Sequence, residues 1–129
     1  FYDYPQDAKK HLWPGLREVF PSAVVQLPVG EAEKRMLYIQ ALETTRCMEE
    51  GVVTTAAEAD LGSILGWGFP AWTGGTLSFI DTIGIREFVA ECERMSKRYG
   101  KRFKPSKWLK ARAERGESFH GSPSESKVA

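Results

Sequence analysis

Two histidines, two cysteines and a scatter of carboxylates are the residues of this 129-residue chain that could do chemistry. General acid–base work needs a His or a carboxylate with a positioned partner. His11 lies in a proline-punctuated N-terminal stretch, and His120 lies in what reads as a frayed tail. Neither stands at helical spacing from a carboxylate, so no His–carboxylate dyad is expected within the domain. Cys47 and Cys92 fall on apolar faces of predicted helices and lack the paired spacing that zinc requires. They read as buried free thiols in reducing surroundings, inert rather than nucleophilic. Gly66-Trp67-Gly68 has the look of a dinucleotide loop, but that motif follows a strand, and here a helix precedes it. Gly74-Gly75 before a helix start offers free amides to an anion; a tight turn is the expected role. Glu43, Glu50, Asp60 and Asp81 are scattered, and Asp60 and Asp81 are expected to make local hydrogen bonds rather than to catalyse.

The strongest local signal is apolar. Residues 66–75 hold four glycines, one proline and three aromatics, namely Trp67, Phe69 and Trp72. Glycine permits positive φ and close approach, and proline bars a helix through Phe69. The result is a shaped loop with a large apolar load. Together with Phe79, these rings either fill the domain's own core or face another body. The residues leave both readings open.

The elements that must position this loop are helical. Residues 1–30 read as irregular, with one short helix from Pro14 to Phe20 and an extended linker from Pro21 to Gly30. A long helix from about Glu31 to Glu50 carries Leu37, Tyr38, Ala41, Leu42, Thr45 and Met48, its arc widened by Met36, Ile39 and Cys47. Gly51 ends it. Thr55-Ala56-Ala57-Glu58 is a capping box. The helix it opens is expected to turn Ala57, Leu61, Ile64 and Leu65 to the core and to stop at Gly66. Further helices span Thr76 to Ile83, Ile85 to Tyr99 (with Ile85, Phe88, Val89, Cys92, Met95 and Tyr99 inward) and Pro105 to Gly116. The latter carries Trp108 and Leu109. Residues 121–129 bury little and are expected to be disordered. No stretch alternates at period two, so the prediction is an all-α domain of about five helices.

Composition excludes several classes. Eighteen Lys and Arg face 17 Asp and Glu, a net charge of +1, which argues against a nucleic-acid or anionic-membrane surface. The late basic residues Arg98, Lys101, Arg102, Lys104, Lys107, Lys110, Arg112 and Arg115 read as a solvated helix face. No apolar run nears the ~20 residues that span a bilayer. No signal peptide is visible. The chain starts at Phe1 without Met and is read as a piece of a longer polypeptide.

From Glu33 to Phe119 the chain resembles the C-terminal helical domain of 3-hydroxyacyl-CoA dehydrogenases. It is most similar to the second copy of that domain in the multifunctional fatty-acid β-oxidation α-subunit. The residues that carry the resemblance begin with Ala41-Leu42-Glu43-Thr44-Thr45-Arg46-Cys47-Met48-Glu49-Glu50-Gly51-Val52-Val53 and Glu58-Ala59-Asp60. Next come Gly66-Trp67-Gly68-Phe69-Pro70-Ala71-Trp72-Thr73-Gly74-Gly75 and Phe79-Ile80-Asp81-Thr82-Ile83-Gly84. Arg115-Gly116-Glu117-Ser118-Phe119 closes the series, and Phe1-Tyr2-Asp3-Tyr4 looks like the end of the first helical copy.

The resemblance implies a fold like the C-terminal domain of 6-phosphogluconate dehydrogenase. It implies residues 1–30 as the end of the preceding copy and a linker, 31–119 as the helical domain and 120–129 as a disordered tail. It implies a cytoplasmic parent that oxidises 3-hydroxyacyl-CoA with NAD and also hydrates enoyl-CoA. Both NAD and the catalytic His–Glu pair belong to a domain outside this chain. A catalytic copy carries an Asn-Arg pair nine residues before the Glu aligned with Glu43; here Lys34 and Arg35 stand there, as in the non-catalytic copy. The implied role is an internalised dimer partner for the parent's other domains, one that packs on the first copy and buttresses the dehydrogenase site. Our own expectation is that the interdomain contact runs through Met36, Ile39, Trp67, Phe69, Trp72 and Phe79. A thiolase subunit and a homodimer of the isolated domain are the further expected partners. The rival readings are a stand-alone helical interaction module and a small acyl-CoA-binding domain.

Overall fold

Helix α2 (Val29–Glu49) begins two residues before the expected start. The Pro28 carbonyl accepts from the Glu31 N–H and so supplies the first turn. The computed structural model describes residues 1–121; the tail expected to be disordered lies outside them from residue 122 onward. The chain divides within the first turn of α2, into residues 1–31 and residues 32 onward.

The first unit was expected to be irregular apart from one helix. It instead forms a two-residue antiparallel ladder between β1 (Tyr2–Asp3) and β2 (His11–Leu12), with Tyr2 opposite Leu12 and Asp3 opposite His11. The Lys10 ammonium sits 4.1 Å from the Tyr2 ring centroid, a cation–π contact that holds the turn closed. Two-residue strands carry no periodicity, so nothing in the sequence announces them. Helix α1 is confined to Leu16–Val19.

The second unit is all α-helical: α2, α3 (Ala56–Trp67), α4 (Thr76–Ile83), α5 (Ile85–Tyr99) and α6 (Lys107–Arg115). Short 3-10 turns at Ala71–Thr73 and Lys101–Phe103 join α3 to α4 and α5 to α6. Helix α5 is the central element, packing on α4, α6 and the 101–103 turn. It buries Ile85, Phe88, Cys92 and Met95, with Val89 and Tyr99 half-buried, the face its periodicity predicts. Helix α2 buries Tyr38, Ala41, Leu42, Thr44 and Thr45.

One line of aromatic rings joins these helices. Phe69 meets Phe79 edge-on at 6.0 Å, Phe79 meets Tyr38 edge-on at 5.6 Å, and Tyr38 stacks on Phe88 at 4.8 Å. Each such pair adds about 0.5–1.5 kcal/mol beyond area burial. Burial pushes the Cys92 thiol up to about 12; Cys47 is only half-buried, and both thiols are free.

Polar staples close the ends. Glu91 of α5 accepts a two-pronged contact from Arg94 at 2.7 and 2.8 Å and a bond from Lys34 of α2 at 3.1 Å. Arg86 donates to the carbonyls of Ala113 and Glu114 at the C-terminal end of α6. Ser106 caps α6, so that helix starts at Lys107 rather than at Pro105.

The Arg94 and Lys34 hydrogen bonds hold the Glu91 carboxyl at about 2, against an ordinary 4.5. The folded chain therefore binds this proton less readily than the unfolded chain does. The stabilisation is full above pH 4.5 and is lost as pH falls through about 2. Urea unfolding of Glu91→Gln across that window should show a shallower loss of stability on acidification than the parent sequence.

Candidate functional site

Helix α4 has no cap of its own. Gly75 precedes it and offers no side chain. The cap comes from α3, where the buried Asp60 carboxylate accepts the Leu77 N–H at 2.7 Å and the Ser78 N–H at 3.2 and 3.1 Å. It also accepts the Ser78 hydroxyl at 2.6 Å, and the Ser63 hydroxyl takes the Thr76 N–H at 3.3 Å. Asp60 and Asp81 were expected to bond locally. Instead both reach far along the chain, Asp81 accepting the N–H groups of Phe119 and His120 at 2.9–3.0 Å. His120, expected in a frayed tail, is thereby held in place, and its Nε2 lies 2.7 Å from Asp60 Oδ2. The expectation of no His–carboxylate pairing fails because the partners lie 60 residues apart, beyond any helical spacing.

Asp60, Ser78 and His120 do not form a nucleophilic relay. That relay uses one ring nitrogen toward Ser and the other toward Asp. Here the single Nε2 faces both Ser78 Oγ, at 3.2 Å, and Asp60 Oδ2, while the Ser78 hydroxyl also meets Asp60. The cluster is a cap. It fills the anion site that Gly74-Gly75 suggested, since the amides a phosphate would use already bind a carboxylate. Gly66-Trp67-Gly68 closes the C-terminal end of α3, with Phe69 N–H donating to the Ser63 carbonyl. A helix C-terminus presents carbonyls, so this loop does not fit a pyrophosphate.

The cap orients α3. Its inward side is Ala56, Ala59, Asp60 and Ser63, at i, i+3, i+4 and i+7. The expected inward set was Ala57, Leu61, Ile64 and Leu65. Ala57 is exposed, Ile64 is half-buried, and Leu61 and Leu65 are 59% and 75% exposed. Close approach to α4 explains the reversal. An ideal Cβ on Gly75 would lie 2.4 Å from the Asp60 Cβ, which leaves room only for small side chains between the helices. Helix α3 also runs on to Trp67, past Gly66, because Gly68 and not Gly66 takes the left-handed φ of 76°.

The aromatics expected at an interdomain contact divide. Phe69 and Phe79 are 2% and 9% exposed and touch each other in the core. Their expected outward role is corrected, because the domain's own ring line consumes them. Trp67 and Trp72 are 56% and 81% exposed, Trp67 at the rim of a cleft beside α2 and Trp72 on the 71–73 turn. Leu61 and Leu65, one turn apart, stand out from a different side of α3, so the exposed apolar side chains of this stretch are spread over the helix and the turn that follows it. Met36 is exposed and Ile39 half-buried on α2, lining a different groove.

Between α2 and α3 lies a cleft of about 510 Å³. Gly62 and Gly66 line it, and a Cβ at either would meet nothing within 4 Å. Cys47, Val53 and Trp67 line it, and the Trp67 indole N–H donates to Gln40 Oε1 at 2.9 Å, pinning the ring at its rim. Leu61 and Leu65 were missed as surface residues because their hydrophobicity masks the Ala56–Ala59–Ser63 stripe of small residues. Lys34 is taken up by Glu91 at 3.1 Å.

Fold and site define an all-α domain whose inner helix ends are capped and whose α3 outer face is left apolar. This chain is homologous to a segment of the fatty acid oxidation complex alpha subunits. It is 40% identical to the "Fatty acid oxidation complex subunit alpha" of Pseudomonas savastanoi pv. phaseolicola (strain 1448A / Race 6), over 96% of this chain and 18% of the relative. The same-named protein of Pseudomonas paraeruginosa (strain DSM 24068 / PA7) is 41% identical over 94% of this chain and 18% of its own length. That of Pseudomonas syringae pv. tomato (strain ATCC BAA-871 / DC3000) is 47% identical over 69% of this chain and 12% of its own. The chain thus spans less than a fifth of the relatives it matches. No family model matches it. Among the described residues no helix is long and apolar enough to cross a membrane.

Asp60→Ala leaves the Leu77 and Ser78 amides buried without acceptors and should cost about 3 kcal/mol in urea unfolding. His120→Ala, which removes only a half-exposed partner, should cost about 1 kcal/mol. Equal losses would show that the histidine contact and not the cap sets stability. Gly75→Ala forces both a strained φ of 115° and a clash with Asp60; its expected cost in the same measurement is at least about 2 kcal/mol.

Proposed function

We propose that this chain is a structural helical domain of a fatty-acid β-oxidation α-subunit. In this reading the parent oxidises 3-hydroxyacyl-CoA to 3-ketoacyl-CoA with NAD and also hydrates enoyl-CoA. Both chemistries are carried by domains outside this chain, in the cytoplasm. The domain itself is catalytically silent. It acts as an internal dimer partner that packs on a preceding helical copy and keeps the dehydrogenase site assembled.

The observation that carries this reading is the set of large apolar side chains left exposed on α3 and the turn after it: Leu61, Leu65, Trp67 and Trp72. A helix that turns Ala, Asp and Ser inward and Leu61 and Leu65 outward gains from that arrangement when another body covers the outside. Two observations support it further. The relatives are more than five times longer than the aligned segment, which leaves ample chain to supply the cover. Lys34 donates to Glu91 and has no amide carbonyl to offer a substrate. A thiolase subunit as a further partner belongs to the same proposal.

The test is NADH oxidation with acetoacetyl-CoA, measured on four samples: the full-length parent, the parent lacking this segment, the chain alone, and the last two mixed. The expected result is no turnover by the chain alone, loss on truncation and recovery on mixing. Turnover by the chain alone, or full activity after truncation, would overturn the reading.

A further inference from the structure

A second surface of the domain, on α2, differs in chemistry from the α3 side. Ala32, Arg35, Met36 and Ile39 recur along α2 at i, i+3, i+4 and i+7, one helix face. With Arg102 and Phe103 they line a groove of about 300 Å³. The far wall is fixed, because Arg46 of α2 donates to the carbonyl oxygens of Arg102 at 2.9 Å and Lys104 at 3.3 Å.

The groove is cationic and short of an acceptor. Its lining contains two guanidinium groups and no carboxylate. The Arg35 guanidinium lies 4.2 Å from the Tyr99 ring centroid, and its Nε is buried with no hydrogen-bond partner. An ordinary buried N–H of a charged group has an acceptor, and its lack is costly. Arg98 lies over the same ring at 5.1 Å. The adjoining stretch 97–107 contains Lys97, Arg98, Lys101, Arg102, Lys104 and Lys107 without a single Asp or Glu. Around these charges the lining is aliphatic and aromatic, and the flexible thioether of Met36 stands 64% exposed at the lip.

We propose that this groove receives an acidic segment of the parent polypeptide from outside this chain. A carboxylate of that segment would bind between Arg35 and Arg102, and its aliphatic neighbours would lie against Met36 and Ile39. The proposal rests on the domain-packing reading above and adds the charge of the partner. Charge complementarity names an acid. The relatives are more than five times longer than the aligned segment, so the parent has chain beyond residues 1–31 to supply it.

Hydroxyl-radical footprinting of the isolated chain and of the full-length parent tests this. Met36 should label readily in the isolated chain and be protected in the parent. Arg35→Gln with Arg102→Gln in the parent should reduce that protection about tenfold or more. Arg35→Lys with Arg102→Lys should keep most of it and make it salt-sensitive. Trp72 should stay protected in both variants, which shows that the domain remains folded and docked.

Met36 exposed in the parent while Trp72 is protected would overturn the charged-groove proposal and leave the packing reading standing. Full protection in the double Gln variant would likewise overturn it, in favour of apolar contact alone. Met36 already protected in the isolated chain would mean that residues 1–31 fill the groove, which also overturns it. Trp72 labelled equally in chain and parent would overturn both readings.

Discussion

A single buried carboxylate sets the geometry of this domain. Asp60 is 5% exposed and gathers the amides of Leu77 and Ser78, the Ser78 hydroxyl and the ring of His120. A carboxylate taken out of water is tolerable only with such a set of donors. The first-turn amides of α4, in turn, need an acceptor that Gly75 cannot provide. Each side therefore requires the other. That mutual demand draws α3 and α4 together closely enough to exclude a Cβ at Gly75.

The close approach has consequences at a distance. It assigns the small and polar side of α3 to the interior and so turns Leu61 and Leu65 outward. It sets the start of the aromatic loop, sending Phe69 into the ring line with Phe79, Tyr38 and Phe88 while Trp67 and Trp72 stay outside. The outward apolar face is thus a by-product of satisfying polar groups within. It is this face that suggests a domain made to be covered. The unit borrows caps across its own elements in three places: Asp60 to α4, Arg86 to α6 and Asp81 to residues 119–120.

The two sides of α2 are handled differently. Lys34 is spent on Glu91, joining α2 to α5. Its neighbour Arg35 stacks on Tyr99 and leaves an N–H without an acceptor. Adjacent cations on one helix therefore serve opposite purposes, one closing the domain and the other left toward a groove. Together with the α3 face, this makes a surface that is apolar in one place and cationic in another, a pattern suited to a specific partner rather than to general stickiness.

The sequence by itself determined the helices of the second unit and the inward face of α5. In α5 one unbroken stripe, Ile85 through Met95, leaves a single way to bury apolar area. It also determined the family resemblance, because the spaced motifs survive without any knowledge of contacts. The N-cap at Thr55 and the helix-ending glycines at 51, 84, 100 and 116 were legible for the same local reason. Only the tertiary structure decided what lies on α3. There two stripes compete, and hydrophobicity alone picks Leu61 and Leu65, whereas the demand of distant amides for Asp60 picks the other side. Only the tertiary structure brought His120 to Asp60, two residues 60 apart in the chain. It also divided the aromatic loop between core and surface. Local propensity reads nearest neighbours, and these outcomes depend on hydrogen bonds that close across tens of residues.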